Sequence, residues 1–199
     1  QDLRFRRPSI GQGVVKVVIS LAVVKPGDRV AIAMRNYPEW MIIYWACCSV
    51  GITVVGMNAW WTAEEMDHAL KDSAPKVIFL DSERLARLRE KPDMAAGATL
   101  VGVRLDDAPP DVTPWSEVIA TGGEMPDVSV DPDSDACIFY TSGTTGPPKA
   151  VMLSHDNLAW TADVAVRIVE HTHTDKSLSY LPLSHIAEQM FTLHAPITS

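Results

Sequence analysis

The residues best suited to chemistry lie together in one loop, residues 140–150. Between two apolar runs, this loop reads Tyr-Thr-Ser-Gly-Thr-Thr-Gly-Pro-Pro-Lys-Ala. Its glycines let the backbone approach a ligand closely, and its serine and threonine hydroxyls donate hydrogen bonds. Lys149 adds a mobile positive charge, and a turn that aims several backbone N–H groups at one point binds anions. Together these residues predict a cradle for a polyphosphate.

The order of residues in this loop differs from that of the P-loop, which needs Gly-Lys followed by Ser or Thr at the start of a helix. Here Pro148 precedes Lys149 and Ala150 follows it. Because proline disfavours helix at the residue before it, we predict a strand, a loop and a second strand. The alternative is a surface hairpin turn in which the Ser, Thr and Gly residues bind nothing.

The same loop resembles the phosphate-binding signature of the adenylate-forming superfamily, which includes acyl-CoA synthetases, luciferases and the adenylation domains of peptide synthetases. Residues 151–158 also fit this family. A second motif, residues 180–188, reads Tyr-Leu-Pro-Leu-Ser-His-Ile-Ala-Glu and most resembles long-chain fatty acyl-CoA ligases. The resemblance extends over residues 27–199 and identifies the chain as similar to the N-terminal portion of a long-chain fatty acyl-CoA synthetase.

The resemblance implies an acid–thiol ligase that uses ATP and Mg²⁺, with coenzyme A as co-substrate. A fatty acid carboxylate attacks the α-phosphorus of ATP, and the thiol of coenzyme A then displaces AMP from the acyl-adenylate. Such chemistry depends mostly on positioning and on neutralisation of charge. Either Thr144 or Thr145 is expected to ligate Mg²⁺, which prefers oxygen ligands. The residues expected to bind the ATP phosphates are Thr141, Ser142, Gly143, Thr144, Thr145, Gly146 and Lys149.

The expected catalytic residues are Lys149 and His185. In the ligases that the chain resembles, an aromatic residue or histidine at the position of His185 lies against the acyl carboxylate and the α-phosphate. The residue alone is explained equally well as a helix-capping or core histidine. Glu188 and Gln189 are near enough to assist but are weaker candidates.

The domain prediction is a poorly determined segment, residues 1–24, followed by a partial AMP-binding domain, residues 25–199, without its C-terminal remainder. The family's adenine-binding motif, ribose-binding aspartate and C-terminal lysine are missing from the 199 residues, so we expect the isolated chain to be inactive or crippled. Two other functions stay open. One is a non-catalytic nucleotide- or acyl-binding remnant, and the other is an adenylating ligase for an aryl or amino acid.

The elements that must position these residues alternate between strand and helix, which is typical of an α/β fold with a doubly wound, mostly parallel sheet flanked by helices. The resemblance implies the N-terminal part of the large domain of adenylate-forming enzymes. Ligands of such sheets bind at the carboxyl ends of strands. The predicted strands are 14–24, 29–34, 52–56, 76–80, 99–104, 136–140, 150–153 and 177–181. The predicted helices are 38–50, 62–73, 82–89, 115–119, 155–169 and one that begins at 184.

The composition excludes several functions. A net charge of −8 argues against a nucleic-acid surface and against a polybasic membrane anchor. Residues 40–63 carry no charge, but Gly51, Thr53, Gly56 and Asn58 divide them into a buried helix and a buried strand rather than a membrane span. We therefore expect no transmembrane helix. Peripheral contact with a membrane and a homodimer both stay open.

Two further groups of residues have a structural interpretation. Cys47, Cys48 and Cys137 form neither a metal-binding spacing nor a disulfide framework, which favours core thiols and a reducing, cytoplasmic location. Trp60 and Trp61 follow an apolar strand and either line an acyl tunnel or belong to the core, and the core is the preferred interpretation.

Overall fold

A computed structural model of the chain describes residues 24–120, 127–141 and 147–199. Within these residues, seven strands form one sheet in the order β5-β4-β3-β1-β2-β6-β7. The strands are β1 (Arg29–Ala33), β2 (Thr53–Gly56), β3 (Val77–Leu80), β4 (Thr99–Gly102), β5 (Val112–Pro114), β6 (Asp135–Thr141) and β7 (Lys149–Ser154). All neighbours pair in parallel except β6 and β7, which are antiparallel. The predicted strand 14–24 falls outside the described residues, apart from Val24, which lies in no strand.

Seven α-helices accompany the sheet in the described part of the chain. They are α1 (Pro38–Cys48), α2 (Ala63–Ser73), α3 (Ser82–Arg89), α4 (Trp115–Ala120), α5 (His155–Ile168), α6 (Ile186–Gln189) and α7 (Ala195–Thr198). A 3₁₀ turn (Pro92–Ala95) follows α3, and a π-helical turn (Met190–His194) joins α6 to α7. Capping boxes form at two helix starts, Thr62 with Glu65 and Ser154 with Asn157. The first of these was predicted from the sequence because the spacing is that of a capping box.

The central strands of the sheet are buried on both faces, whereas the edge strand β7 is largely exposed. Alternate residues of the central strands supply the two cores. Val30, Ile32 and Phe79 point to the face covered by α1 and α5. Ala31, Ile78 and Leu80 lie on the opposite face with α2 and α3. The chain thus passes from β1 to β2 along one face and returns to β3 along the other. This arrangement confirms the doubly wound, mostly parallel fold.

The uncharged stretch 40–63 forms most of α1, then β2 and the start of α2, as predicted. Trp40 and Tyr44 of α1 are buried and stack with ring centroids 5.5 Å apart. Full burial of such a side chain stabilises the fold by about 1.5–3 kcal/mol. No helix among the described residues is long and apolar enough to cross a membrane.

Three sequence predictions are corrected by the structure. The strand predicted at 177–181 is wrong, because no described strand runs alongside this segment to satisfy its backbone groups, and Leu178 and Tyr180 are 83% and 74% exposed. Strand β5 was missed, since three residues ending in proline carry no alternating pattern. Trp60 is 63% exposed beneath the Arg35 guanidinium and is not in the core, whereas Trp61 is partly buried against the second face.

A buried polar contact joins α1 to the end of the chain. The Tyr44 hydroxyl lies 2.9 Å from Nε2 of His194, and the Trp45 ring packs edge-on against the same imidazole. Burial lowers the pKa of His194 from its ordinary value of 6.5 to about 4, and the nearby His155 contributes to this shift. Burial also lowers the pKa of His155. The folded chain therefore holds both imidazoles in their neutral form near pH 7.

This contact predicts a loss of stability in acid. Because the pKa of His194 is lower in the fold than in the unfolded chain, its contribution is fully present above pH 6.5 and lost as pH falls toward 4. We expect the free energy of unfolding to fall by about 3 kcal/mol from this group across that window. Urea unfolding at a series of pH values measures it. The His194→Gln variant should show a correspondingly shallower pH dependence, and an unchanged dependence would contradict the assignment.

Candidate functional site

The predicted phosphate loop connects the last two strands of the sheet. Thr141 at the end of β6 lies opposite Lys149 at the start of β7, and the ladder continues to Asp135 and Ser154. The two predicted strands on either side of the loop are therefore confirmed. Because β6 pairs in parallel with β2, Thr141 and Lys149 lie at the carboxyl edge of the sheet. Within the loop, residues 142–146 lie outside the described part of the chain, so the predicted contacts of Ser142, Gly143, Thr144, Thr145 and Gly146 stay predictions.

Lys149 and Thr141 mark the two sides of the loop. Both residues are exposed, and the Thr141 hydroxyl donates to the carbonyl oxygen of Lys149 at 3.4 Å. Among the described residues, no carboxylate lies within ion-pair distance of the Lys149 ammonium. The positive charge beside the loop is thus not neutralised by the described part of the protein, which suits binding of an anion.

Helix α2 anchors the chain on both sides of this loop. Before the loop, the Tyr140 hydroxyl donates to Asp72 Oδ2 at 2.7 Å and approaches the Ala69 carbonyl oxygen at 3.2 Å. After the loop, Nε2 of His68 lies 3.0 Å from the Pro148 carbonyl oxygen, and since a carbonyl can only accept, this bond requires the proton on Nε2. Burial and then the Asp72 carboxylate raise the pKa of Tyr140 well above its ordinary value, so the phenol remains protonated.

The second motif lies at the same edge of the sheet. Asn36, which follows β1, bonds to the backbone of Leu181 and Leu183. A Cβ added to Gly56 at the end of β2 would lie 3.4 Å from the Cα of Ser184, which leaves little room for a larger residue there. The segment 181–185 therefore covers the carboxyl ends of β1 and β2. Since β6 is the next strand, the structure brings the segment that carries His185 to the same edge as the phosphate loop.

His185 occupies the residue before α6. Its backbone N–H donates to the Pro182 carbonyl oxygen at 2.9 Å, but its side chain makes no capping bond. The residue is exposed, so the interpretation as a core histidine is wrong. His185 therefore lies at the surface of the carboxyl edge.

Glu188 and Gln189 are buried, and the hydrogen bonds that they make are to other groups of the chain itself. Glu188 accepts from the Leu181 N–H and the Thr192 hydroxyl, and Gln189 donates to the Leu183 carbonyl oxygen. Burial alone would raise the pKa of Glu188, but the hydrogen bonds that it accepts outweigh this effect and lower it. Within the described residues, Gln189 Oε1 and Ser184 Oγ are buried without a partner.

A buried ion pair holds the three neighbouring loops together at this edge. Asp81 follows β3 and binds the guanidinium of Arg84, whose side chain is 2% exposed. Arg84 Nε also donates to the carbonyl oxygen of Ala59 at 3.0 Å, and the Arg35 N–H donates to Asp81 Oδ2 at 3.2 Å. The loops after β1, β2 and β3 are thereby joined. Sequence reasoning missed this pair, although a charge placed directly after an apolar strand was a usable signal.

Outside these two motifs, two other kinds of site, a metal centre and a cavity, are relevant to the described part of the chain. No group of three or more His, Cys, Asp or Glu residues is arranged there to hold a metal ion. The predicted Mg²⁺ ligands, Thr144 and Thr145, lie outside the described residues. A cavity of about 450 Å³ opens beside the start of α3, and its lining includes Ser82, Arg104 and Asp107 but none of the predicted site residues.

Comparison with known proteins identifies the family. Residues 18–199 match the AMP-binding enzyme family, and this match covers the phosphate loop and both flanking strands. The chain belongs to that family. The resemblance stated from the two motifs is therefore confirmed.

Curated relatives of the chain include ligases for different acids. It is 33% identical to the long-chain-fatty-acid–CoA ligase ACSBG2 of Rattus norvegicus over 178 residues. The aligned region covers 81% of the chain and 27% of that protein. It is also 33% identical over 164 residues to a feruloyl-CoA synthase of an Amycolatopsis species, which covers 82% of the chain and 30% of that protein. The chain thus spans about a third or less of these relatives.

Solved structures give the same picture. ATP-bound MatB from Rhodopseudomonas palustris superposes with a TM-score of 0.77 at 27% identity, over 94% of the chain and 36% of that protein. An anthranilate CoA ligase in complex with anthranoyl-AMP superposes with a TM-score of 0.88 at 18% identity, over 94% and 36% of the two chains, which shows the shared fold. The comparisons therefore support adenylate-forming CoA ligases as a class without selecting one acid.

The anchoring of the loop by α2 can be tested with Tyr140→Phe. This change removes the hydroxyl that binds Asp72 and leaves the ring packing against Trp61 in place. We expect the free energy of unfolding to fall by about 1 kcal/mol, because Asp72 is exposed and regains water. Urea denaturation measures the change. Tyr180→Phe, at an exposed site, is the matched control, and equal stabilities of the two variants would argue against the anchor.

Proposed function

We propose that this chain supplies the ATP-phosphate cradle of a ligase that activates a fatty acid as its acyl-adenylate and passes the acyl group to coenzyme A. The observation that carries the proposal is the pairing of β6 with β7, which places Thr141 and Lys149, the described residues nearest the predicted phosphate-binding positions, opposite each other at the carboxyl edge. Membership of the AMP-binding enzyme family supports it. The activity belongs to a complete enzyme, of which residues 25–199 form a part of the adenylation domain.

In this proposal, Lys149 and the loop hydroxyls bind the β- and γ-phosphates and stabilise the charge that develops on the departing pyrophosphate. The backbone N–H groups and glycines of residues 142–146 allow close approach. Thr144 or Thr145 would hold Mg²⁺ through its hydroxyl oxygen, and the ion would supply positive charge to the phosphates. Preorganised donors of this kind stabilise charge without rearranging during the reaction.

His185 has the second role. Its exposed imidazole lies at the edge where the phosphate loop ends, and we assign it contact with the acyl carboxylate and the α-phosphate. A ring N–H of this imidazole donates a hydrogen bond, which is suited to orient the acceptor oxygens of a carboxylate for attack on phosphorus. Together, Lys149 would act on the leaving group and His185 on the attacking group.

The identity of the acid substrate is the part of this proposal for which the relatives offer a specific alternative. Relatives at similar identity include the feruloyl-CoA synthase and an indoleacetate–CoA ligase from Aromatoleum aromaticum, which is 34% identical over 154 residues. These names favour an aryl acid as the second candidate. The Leu-Pro-Leu-Ser-His segment, residues 181–185, is the feature that supports a fatty acid.

The phosphate cradle can be tested by MgATP binding to the purified 199-residue chain. Lys149→Ala removes the positive charge beside the loop, and we expect the dissociation constant to rise by about 10- to 100-fold, the usual effect of losing a charge-assisted contact. Isothermal titration calorimetry with and without Mg²⁺ measures it. Lys76→Ala, an exposed lysine before β3 at the opposite edge, is the control. Equal affinities for the two variants would remove Lys149 from the cradle, and a wild-type chain that does not bind MgATP would contradict the proposed function.

His185 can be tested with stable acyl-sulfamate analogues of the acyl-adenylate, which report binding whether or not the chain completes a reaction. His185→Ala should weaken binding of the acyl analogue by about tenfold and binding of MgATP by no more than about twofold, because the analogue presents both groups that His185 contacts and MgATP presents only the α-phosphate. His173→Ala, in an exposed loop, is the control. Palmitoyl, feruloyl and indoleacetyl analogues compared on the wild type identify the acid, and tighter binding of an aryl analogue would select the aryl candidate. Equal binding by the two histidine variants would rule out the role of His185.

A further inference from the structure

Side chains, not a neighbouring strand, satisfy the backbone around Pro182. The Leu181 N–H donates to Glu188 Oε2 at 3.1 Å, and Asn36 Nδ2 donates to the Leu181 carbonyl oxygen at 2.7 Å. The Leu183 N–H donates to Asn36 Oδ1 at 2.9 Å, and Gln189 Nε2 donates to the Leu183 carbonyl oxygen at 2.8 Å. All four polar backbone groups that flank the proline are thus bound by three side chains.

These three side chains have different origins. Glu188 and Gln189 belong to α6, the helix that His185 precedes, so their bonds fix the turn to its own helix. Asn36 lies 145 positions before Leu181, in the loop that follows β1. Among the described residues, its two bonds are the hydrogen bonds that join segment 181–185 to the sheet.

The two hydrogen bonds of Asn36 use both polar atoms of its side-chain amide, and they fix the backbone on both sides of Pro182. Pro182 restricts the backbone of this turn, and the two hydrogen bonds from Asn36 restrict the rotation of the turn relative to the sheet. His185 lies two residues after Leu183, and its backbone N–H donates to the Pro182 carbonyl oxygen. The position of the His185 backbone is therefore set by this turn. The contact of Ser184 with Gly56 packs the same segment against the end of β2.

We propose that Asn36 is a positioning residue, which sets the place of the His185 imidazole relative to the phosphate loop. The inference rests on the proposed function for its catalytic meaning, since it deepens the role of His185 at the same site. Asn36 itself need not touch substrate. Asn58 offers a natural comparison, because its side chain also follows a central strand but accepts a bond from its near neighbour, the Trp60 N–H.

The test uses the full 199-residue chain with its histidines labelled at ¹³Cε1, and the His185 signal is assigned by its loss in His185→Ala. In wild type we expect one sharp His185 signal and a protected Leu183 amide. In Asn36→Ala we expect the His185 signal to broaden or split and exchange of the Leu183 amide to accelerate by about tenfold. The signals of the buried His155 and His194 should stay in place, which shows that the fold is kept.

A second arm measures binding of MgATP and of the acyl-sulfamate analogue in separate titrations, because an analogue of the acyl-adenylate occupies the nucleotide site itself. The wild-type His185 signal should shift on binding, whereas Asn36→Ala should bind MgATP within about twofold of wild type yet bind the acyl analogue about tenfold more weakly. Loss of structure alone would weaken both ligands together. Asn58→Ala should behave as wild type in both arms. Asn36→Asp keeps the size of the side chain but turns a second acceptor toward the Leu181 carbonyl oxygen, so we expect it to fail like Asn36→Ala.

The two proposals fail in different ways. A His185 signal and Leu183 exchange that are the same in Asn36→Ala and wild type would overturn the positioning role, whatever the ligands do. Perturbation of His185 in Asn36→Ala, in a chain whose wild type binds neither MgATP nor any acyl analogue, would support the positioning of His185 and overturn the proposed function. Equal loss of affinity for both ligands in Asn36→Ala would also overturn the positioning role.

Discussion

Parallel pairing of β1, β2, β3 and β6 is the constraint on which the site depends. Parallel strands must end at the same edge, so the loops that follow them meet there although they are far apart in sequence. The antiparallel return of β7 then brings Lys149 back to that edge beside Thr141. Because helices cover both faces of these central strands, polar groups reach the surface at the edge where the strands end.

The loops at this edge are held by polar contacts that would be costly to break. Removing one partner of a buried ion pair typically destabilises a protein by about 3–5 kcal/mol, because the other charge stays buried. Asp81 and Arg84 form such a pair and join the loops after β1, β2 and β3. Asn36 and α2 then attach the two motif segments to this frame. Buried polar contacts thus hold the frame, whereas Thr141, Lys149 and His185 at the same edge are exposed, which is the arrangement expected of a binding edge.

The sequence was sufficient for the elements with local signals and insufficient where tertiary contacts decide. Alternation of strands with helices gave the fold class, and Thr62 with Glu65 correctly predicted the start of α2. Strand propensity at 177–181 misled, because a strand also needs a partner and here side chains bind the backbone instead. The motif residues were identified by their order, but the contact of Asn36 with Leu181 joins positions 145 apart and no local pattern encodes it.

The three cysteines have a consequence for the chemical behaviour of the chain. Cys47, Cys48 and Cys137 are buried between α1 and β6, and burial raises the pKa of each thiol, that of Cys48 to about 12. Since the thiolate is the reactive form, the folded chain withholds all three sulfurs from alkylation and oxidation near neutral pH. Their modification rate therefore follows the opening of the layer between α1 and the sheet. The rate at which these sulfurs are modified therefore measures how often the core beneath β6 opens.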